Sequence, residues 1–166
     1  MKRYGLYESP YGQMLIVGGD AGLSGVYFEG QKYHPGIDAH WRRDEHHAVI
    51  AQARRELAEY FARERQRFDV VVAPEGTPFQ HRIWQAIARV SFGETISYGE
   101  LAKSAGYPGN ARAAGAATGR NPLTIVIPCH RIVASTGALT GYAGGLDRKR
   151  ALLALECGTG DLLAAA

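Results

Sequence analysis

The segment Ala-Pro-Glu-Gly-Thr-Pro at residues 73–78 divides the chain into two parts with different patterns. Two prolines and a glycine within this short stretch interrupt both the alternating pattern of strands and the 3.6-residue pattern of helices. A chain of 166 residues is long enough for one domain or for two small ones. We therefore predict an N-terminal supporting domain over residues 1–73, a linker at 74–78 and a second domain over 79–166.

The N-terminal part has the pattern of a small antiparallel sheet followed by a helix. Alternating runs at residues 4–8 and 13–17 flank turn residues, and a third run covers 23–28. Apolar residues then recur at helical spacing over 48–63, where the charged residues between them form a solvated face. A further apolar run at 68–72 predicts another strand.

Two local signals mark helix starts in the second part. Thr77 and Gln80 flank Pro78, and Ser97 and Glu100 repeat the same spacing. In this capping-box pattern the first side chain accepts a hydrogen bond from the backbone of the fourth residue, whose side chain reciprocates. We therefore predict one helix from the first box and a short helix, to about residue 105, from the second. The buried stripe of the first helix contains Phe79, Ile83, Ile87 and Val90.

A third helix is predicted over residues 110–118, with Asn110 as its N-cap. Tyr-Pro-Gly at 107–109 separates it from the preceding helix, so the pair has the form of a helix-turn-helix. Most of its side chains are Ala or Gly, which bury little apolar surface and permit close approach. Two interpretations remain: tight packing against another helix, or entry of this slim face into a widened DNA minor groove, which is normally about 6 Å wide.

The tetrapeptide Pro-Cys-His-Arg at residues 128–131 places a thiol, a possible base and a cation side by side. A cysteine with a pKa of about 8.5 is only about 3% thiolate at pH 7, so a base can raise the reactive population about thirtyfold. The alternative is a cysteine that is only a small buried hydrophobe. Because adjacent side chains in a strand point to opposite faces, Cys129 and His130 can cooperate only if the chain leaves strand geometry at Pro128 or a water bridges them. We predict this departure.

The formal net charge is +3, and the positive excess follows the linker. Residues 1–78 contain ten Lys/Arg against eleven Asp/Glu, whereas residues 79–166 contain nine against five, giving −1 and +4. A basic half suits a phosphate-facing surface, although domains with neutral partners often carry a similar charge. No apolar stretch approaches the ~18 residues that span a bilayer, and no signal peptide is evident. We expect a cytoplasmic protein whose cysteines, Cys129 and Cys157, are free thiols.

The region around Cys129 resembles the O6-alkylguanine-DNA alkyltransferases, which carry Pro-Cys-His-Arg after an apolar strand. Asn-Pro at 121–122, Thr-Gly-Tyr-Ala-Gly-Gly at 140–145 and a helix ending at Glu156 follow the order of that family. The similarity is close over residues 74–157 and extends to the first seventy or so only in pattern. It implies an α+β fold, with a ribonuclease-H-like N-terminal domain that contains the small antiparallel sheet and a C-terminal winged helix-turn-helix domain.

The resemblance implies DNA repair by direct transfer of an alkyl group, such as methyl, from guanine O6 to a protein thiol after nucleotide flipping. Cys129 corresponds to the nucleophile, His130 to the base, and Glu156 to the acid that supports the protonated base. Tyr98 corresponds to a hydrogen-bond donor to the departing guanine. The thioether product is not reversed, so each molecule is expected to act once.

Relatives also suggest the residues that hold the substrate. Asn121 bridges turns beneath the site, and the carbonyls at Cys129 and Ile132 accept the guanine amino group. Tyr142 walls the pocket, and the amide of Ala143 donates to O6. Arg112 enters the base stack in place of the flipped nucleotide. The other residues expected to face DNA are Ala111, Ala113, Ala114 and Gly115.

Other functions stay open on the residues alone. A helix-turn-helix protein with a basic half can bind lesions or regulate without catalysis, in which case Cys129 is dispensable. A cysteine hydrolase that uses Cys129, His130 and Asn121 is a further alternative, but such enzymes bring the base from far along the chain.

We expect no cofactor, because the sequence has neither a phosphate-cradling glycine loop nor a nicotinamide fingerprint. The histidines at 34, 40, 46 and 47 lack regular ligand spacing, so no metal is expected. The expected partner is double-stranded DNA carrying O6-alkylguanine, bound by a monomer away from membranes. The range of alkyl groups and the role of the N-terminal domain stay open.

Overall fold

The computed structural model describes residues 1–158, so the end of the predicted second domain, 159–166, lies outside the described residues. A 3₁₀ turn at Cys129–Arg131 accompanies the regular elements. In chain order these are β1 (Arg3–Ser9), β2 (Gly12–Gly19), β3 (Gly22–Phe28), β4 (Arg42–Arg43), α1 (Ala48–Phe61), α2 (Pro78–Ala88), β5 (Ile96–Ser97), α3 (Tyr98–Ser104), α4 (Ala111–Gly119), β6 (Ile132–Val133) and α5 (Leu146–Cys157).

The N-terminal strands form a sheet in the order β3-β2-β1-β4. The three predicted strands pair antiparallel, as expected from their alternating patterns and tight turns. β4 is a short parallel addition to β1 that the sequence pattern does not predict. Its two residues are both exposed arginines, so they carry no apolar alternation that could mark a strand.

The prediction of a strand at residues 68–72 is wrong. Only Val72 forms an isolated parallel bridge, with Leu23 of β3. The N–H groups of Asp69 and Val70 donate instead to Oε1 of Glu56, a buried carboxylate on α1, at 2.9 and 3.1 Å. A side chain therefore satisfies the backbone donors that a strand ladder would have used.

The two predicted capping boxes are confirmed. Thr77 and Gln80 exchange hydrogen bonds at the start of α2, and Ser97 and Glu100 do so at the start of α3. Each box satisfies two donors that the first turn of a helix leaves unpaired. The indole N–H of Trp84 then ties α2 to α4 by donating to the carbonyl of Ala117 at 2.9 Å.

The third predicted helix is present as α4, but Asn110 does not cap it with its side chain. Asn110 has φ −103° and ψ 41°, away from the extended conformation that directs a cap side chain toward the first turn. Its backbone carbonyl accepts the N–H of Ala114 at 2.9 Å. A parallel two-residue ladder, β5 with β6, lies beside α3 and joins the helix-turn-helix to the turn that carries Cys129.

The N-terminal sheet and the C-terminal helices share one hydrophobic core. The edge of β3 continues into the second part of the chain, because Val26 donates to the carbonyl of Pro122 at 2.8 Å and accepts from the N–H of Thr124 at 3.1 Å. Arg148 of α5 donates to the carbonyl of Tyr11 at 3.0 Å. Within residues 1–158, none of the helices combines the length and the apolar character needed to span a bilayer.

Candidate active site

A cavity of about 670 Å³ opens between α4 and the loop before α5, and Cys129 lines it. Cys129 is only 6% exposed, so the cavity is the route by which a reactant reaches its sulfur. The volume lies in the range of small-molecule pockets. Other lining residues come from both parts of the chain and include Tyr33, Tyr98, Gly115, Arg120, Tyr142 and Ala143.

The chain leaves extended geometry just before the cysteine, as predicted. Pro128 has φ −80° and ψ 66°, and the 3₁₀ turn begins at the next residue. The apolar run before it is a buried irregular turn rather than a strand, with Ile125 at φ 72°. Asn121 supports this turn because its amide donates to the carbonyl of Ile127 at 2.7 Å while its oxygen accepts the N–H of Leu123 at 2.9 Å.

The structure brings His130 and Glu156 together in a fully buried pair. Nε2 of His130 lies 2.6 Å from Oε2 of Glu156. Arg131 donates two hydrogen bonds to the same carboxylate, from Nε to Oε1 at 2.8 Å and from Nη2 to Oε2 at 2.9 Å. The carboxylate accepts, so Nε2 of His130 carries the proton and Nδ1 is the basic nitrogen. Nδ1 has no hydrogen-bond partner among the described residues.

Of the residues expected to bond or hold a substrate, Tyr98, Tyr142 and Ala143 line the same cavity, whereas Asn121 and Ile132 do not. The hydroxyl of Tyr98 donates to the carbonyl of Thr140 at 3.2 Å, and the buried hydroxyl of Tyr142 has no partner within the described range. The carbonyl of Ala143 accepts the N–H of Lys32 at 2.9 Å, whereas no described residue accepts its own N–H. Both donors are therefore unpaired within the described residues, although the hydroxyl of Tyr142 is itself buried.

The two carbonyls expected to accept a guanine amino group already have one partner each. The carbonyl of Ile132 accepts from Nζ of Lys149 at 2.6 Å. That of Cys129 accepts the N–H of Ile132 at the end of the 3₁₀ turn. A carbonyl oxygen has two lone pairs, so each retains capacity for a second donor.

The exposed face of α4 contains most of the residues expected to contact DNA. Arg112 and Ala113 are exposed, while Ala111 and Gly115 are partly exposed. Ala114 is the exception, because its side chain is fully buried in the core and cannot reach a groove. The helical period explains this correction, since α4 packs on α2 and α3 and some side chains in each of its turns must face the core.

Family models match both parts of the chain. The DNA binding domain of 6-O-methylguanine DNA methyltransferase matches residues 78–158, and the ribonuclease-like domain of the same family matches residues 2–74. The chain belongs to the 6-O-methylguanine DNA methyltransferase family.

Individual members of the family are similar over nearly their whole length. The methylated-DNA–protein-cysteine methyltransferase of Methanosarcina acetivorans is 45% identical over 153 residues, which cover 92% of this chain and 97% of the relative. That of Mycolicibacterium paratuberculosis is 44% identical, with 94% and 93% covered. The crystal structure of Mycobacterium tuberculosis OGT in complex with DNA is 41% identical and aligns with a TM-score of 0.87 over 96% of both chains. The predicted α+β fold is confirmed.

Burial sets the resting protonation of the thiol and imidazole in this family member. It raises the pKa of Cys129, although a hydrogen bond from Asn121 and the charge of Lys149 oppose the shift. Burial also lowers the pKa of His130 against the opposing effect of Glu156. The free protein therefore favours a neutral thiol beside a neutral imidazole. The expectation from sequence, that an adjacent base enriches the thiolate, does not hold for this resting state.

Glu156 keeps its charge in the same site. Burial by itself would raise the pKa of the carboxyl group, but the hydrogen bonds and charges of His130 and Arg131 outweigh it and hold the pKa well below its usual range. The carboxylate is thus the fixed charge of the site, and it is matched by the guanidinium of Arg131.

Lys149 is a site residue that the sequence reasoning missed. Its side chain is fully buried, and Nζ donates to the carbonyls of Ile132, Thr140 and Gly141 at 2.6, 3.1 and 3.3 Å. It lies between two arginines, a context that suggests a solvated face. One signal was available, because Lys149 stands seven residues before Glu156 and therefore on the same face of a helix. Its ammonium group fixes the loop that carries Tyr142.

No metal site is evident in the structure as described. Among residues 1–158, no group of three or more His, Cys, Asp or Glu side chains is arranged to hold a metal ion. His47, one of the four histidines noted in the sequence, instead accepts the N–H of Val49 at the start of α1 and contacts Asp20 at 3.0 Å.

Proposed function

We propose that this protein repairs DNA by moving an alkyl group, such as methyl, from O6 of guanine to the sulfur of Cys129. The observation that carries the proposal is a cysteine with a buried His–Glu pair next to it, lining a cavity in a chain of this family. The names of its relatives, methylated-DNA–protein-cysteine methyltransferases, and the DNA complex of one of them support it. Double-stranded DNA carrying the lesion is the partner.

The target atom lies inside the duplex, so the nucleotide must leave the base stack before a thiol can reach it. We assign the opening of the duplex to α4, whose Ala and Gly side chains form a thin exposed face. Arg112, exposed at the start of this helix, would occupy the vacated place, because a flat guanidinium can stack on bases and bond the orphaned partner. Flipping costs a few kcal/mol and less for a poorly paired base, which favours damaged sites.

The chemistry needs a proton to leave the thiol before or during attack. In the proposal Nδ1 of His130, which has no hydrogen-bond partner among the described residues, takes it through one bridging water, and Glu156 stabilises the resulting imidazolium. The sulfur forms a bond to the alkyl carbon as the carbon–O6 bond breaks. The guanine anion then recovers the proton, so no net proton is gained or lost.

Donors aimed at the departing guanine lower the barrier because negative charge develops there. The hydroxyl of Tyr98 and the amide of Ala143 fill this role in the proposal, and Tyr142 walls the pocket. The thioether that remains on Cys129 offers water no easy route to reversal. Each molecule therefore acts once. We propose that it does so as a monomer and without a cofactor. We also propose that it works in the cytoplasm, on nucleoid DNA.

The test incubates the protein with an excess of duplex that carries a radiolabelled methyl group on guanine O6, and then locates the label by peptide mass mapping. The label should appear on the peptide that contains Cys129, in at most one equivalent per protein. Cys129→Ala should lose all transfer and still bind the duplex. If the wild type takes no label but both it and Cys129→Ala bind the duplex, the result would support the alternative, a non-catalytic lesion-binding protein. Label on another residue would refute the assignment of the nucleophile.

A further inference from the structure

One contact joins the N-terminal part of the chain directly to the buried carboxylate of the site. Tyr60 lies on α1, is fully buried, and its hydroxyl donates to Oε2 of Glu156 at 2.6 Å across 96 residues of sequence. The ring is held by three aromatic neighbours, with centroids 5.4 to 6.1 Å away. The hydroxyl is therefore aimed at the carboxylate by packing rather than by chance rotation.

The carboxylate of Glu156 has more hydrogen-bond donors around it than it has lone-pair positions to accept them. Oε2 accepts from His130, Arg131 and Tyr60 at 2.6, 2.9 and 2.6 Å. Oε1 accepts from Nε of Arg131 at 2.8 Å and from the N–H of Gly93 at 3.3 Å. A carboxylate offers about four lone-pair positions, so five donors compete for them. Each bond to the charged carboxylate disperses its charge and weakens its hold on a protonated imidazole.

We propose that Tyr60 is a positioning residue that holds the Cys129–His130–Glu156 site in its neutral resting form by competing with His130 for Oε2 of Glu156. The proposal rests on the proposed function, because a protein that acts once loses its activity if its thiol reacts before DNA is bound. The N-terminal part then has a chemical role in addition to supporting the fold.

Other charged and titratable groups around His130 act on its basicity as well. Arg131, from the same turn, and Lys149, from α5, both oppose protonation of the imidazole, whereas Glu156 favours it. Tyr142 lines the cavity with Cys129, and the charge of Arg148 acts on Tyr142. Replacing any of the charged groups would change the net charge of the site. Tyr60→Phe changes neither charge nor ring packing, so it isolates a single hydrogen bond.

The experiment measures the rate at which iodoacetamide alkylates Cys129 from about pH 5 to about pH 10, in full-length protein that carries Cys157→Ser to remove the exposed second thiol. The midpoint of this profile reports the ionisation of the thiol, whereas its high-pH plateau reports access to the thiolate. In Tyr60→Phe the midpoint should fall by roughly half a unit to one unit, which raises the rate near pH 7 about three- to tenfold. Site-specific 3-fluorotyrosine at position 60, a more acidic donor, should move it upward.

Tyr7→Phe is the matched control. Tyr7 lies in the same sheet-and-helix unit and packs on Phe61, with ring centroids 6.3 Å apart, but its hydroxyl has no hydrogen-bond partner within residues 1–158. Its profile should coincide with that of the parent. A change in plateau with an unchanged midpoint in Tyr60→Phe would mean looser packing only and would overturn the proposal. The assay contains no DNA, so failure of the repair proposal would show separately, as a wild type that takes no label from alkylated duplex.

Discussion

Replacing Glu156 by glutamine should destabilise the protein by about 3 kcal/mol near pH 7. The substitution preserves size but removes the charge that Arg131 faces at 2.8 and 2.9 Å, and it places an amide donor among groups that all donate. Breaking a buried ion pair by removing one partner typically costs about 3–5 kcal/mol, because the other charge stays buried. We expect the lower end of that range, since the glutamine oxygen still accepts one or two of the bonds.

The cost should shrink in acid. The pKa of Glu156 is lower in the folded protein than in the unfolded chain, so its stabilising contribution is complete above the unfolded pKa of about 4.3 and is lost as the pH falls below it. Glutamine does not titrate. By about pH 3.5 the difference in unfolding free energy between the wild type and Glu156→Gln should therefore narrow by about 1 kcal/mol.

Urea denaturation at the two pH values measures both effects, and Glu94→Gln provides the control. Glu94 is exposed on the turn after α2, so its replacement makes the same change of charge without disturbing a buried pair. The control should lie within about 0.5 kcal/mol of the wild type. A Glu156→Gln variant that loses less than about 1 kcal/mol at neutral pH, or whose deficit grows in acid, would refute the view that this carboxylate is the charged centre of the buried network.

Two further outcomes are expected. Arg112→Ala should slow transfer from O6-methylguanine in duplex DNA by about tenfold or more while changing transfer from the free base little, because the side chain acts on the duplex; equal effects in single-turnover assays on both substrates would remove the flipping role. Lys149→Met should raise the midpoint of iodoacetamide alkylation of Cys129 by roughly half a unit, since the ammonium charge favours the thiolate directly and only weakly opposes protonation of His130; an unchanged or lower midpoint would contradict this direct effect.

Sequence was most informative where the decisive interactions are local. The capping boxes at Thr77 and Ser97 involve residues three apart, so the pattern alone predicts them and the structure confirms both. The strand predicted at 68–72 failed because its backbone donors bond to Glu56, thirteen and fourteen residues away, and no periodicity reports such a contact. β4 was missed for a similar reason, since pairing with β1 alone defines it.

The state of the site depended on contacts that are even less visible in the sequence. The neighbours His130 and Arg131 were evident beside Cys129, and a family resemblance suggested Glu156. The depth at which they are buried was not evident, and that burial raises the pKa of the thiol rather than lowering it. Tyr60 could not be found by pattern, because a tyrosine at a helical apolar position predicts core packing whether or not its hydroxyl has a partner.

The arrangement explains how a protein can carry a reactive cysteine without exposing a reactive thiolate. Burial favours the neutral thiol, and the crowded carboxylate of Glu156 offers His130 only part of its charge. An alkylated guanine that enters the cavity displaces solvent. It also becomes the leaving group that finally takes the proton, so ionisation of the thiol and alkyl transfer can proceed together. The thiol should then be slow toward small electrophiles in solution and fast toward a bound alkylated base. In the proposal, this separation depends on the contact of Tyr60 with Glu156, which joins the two parts of the chain inside their shared core.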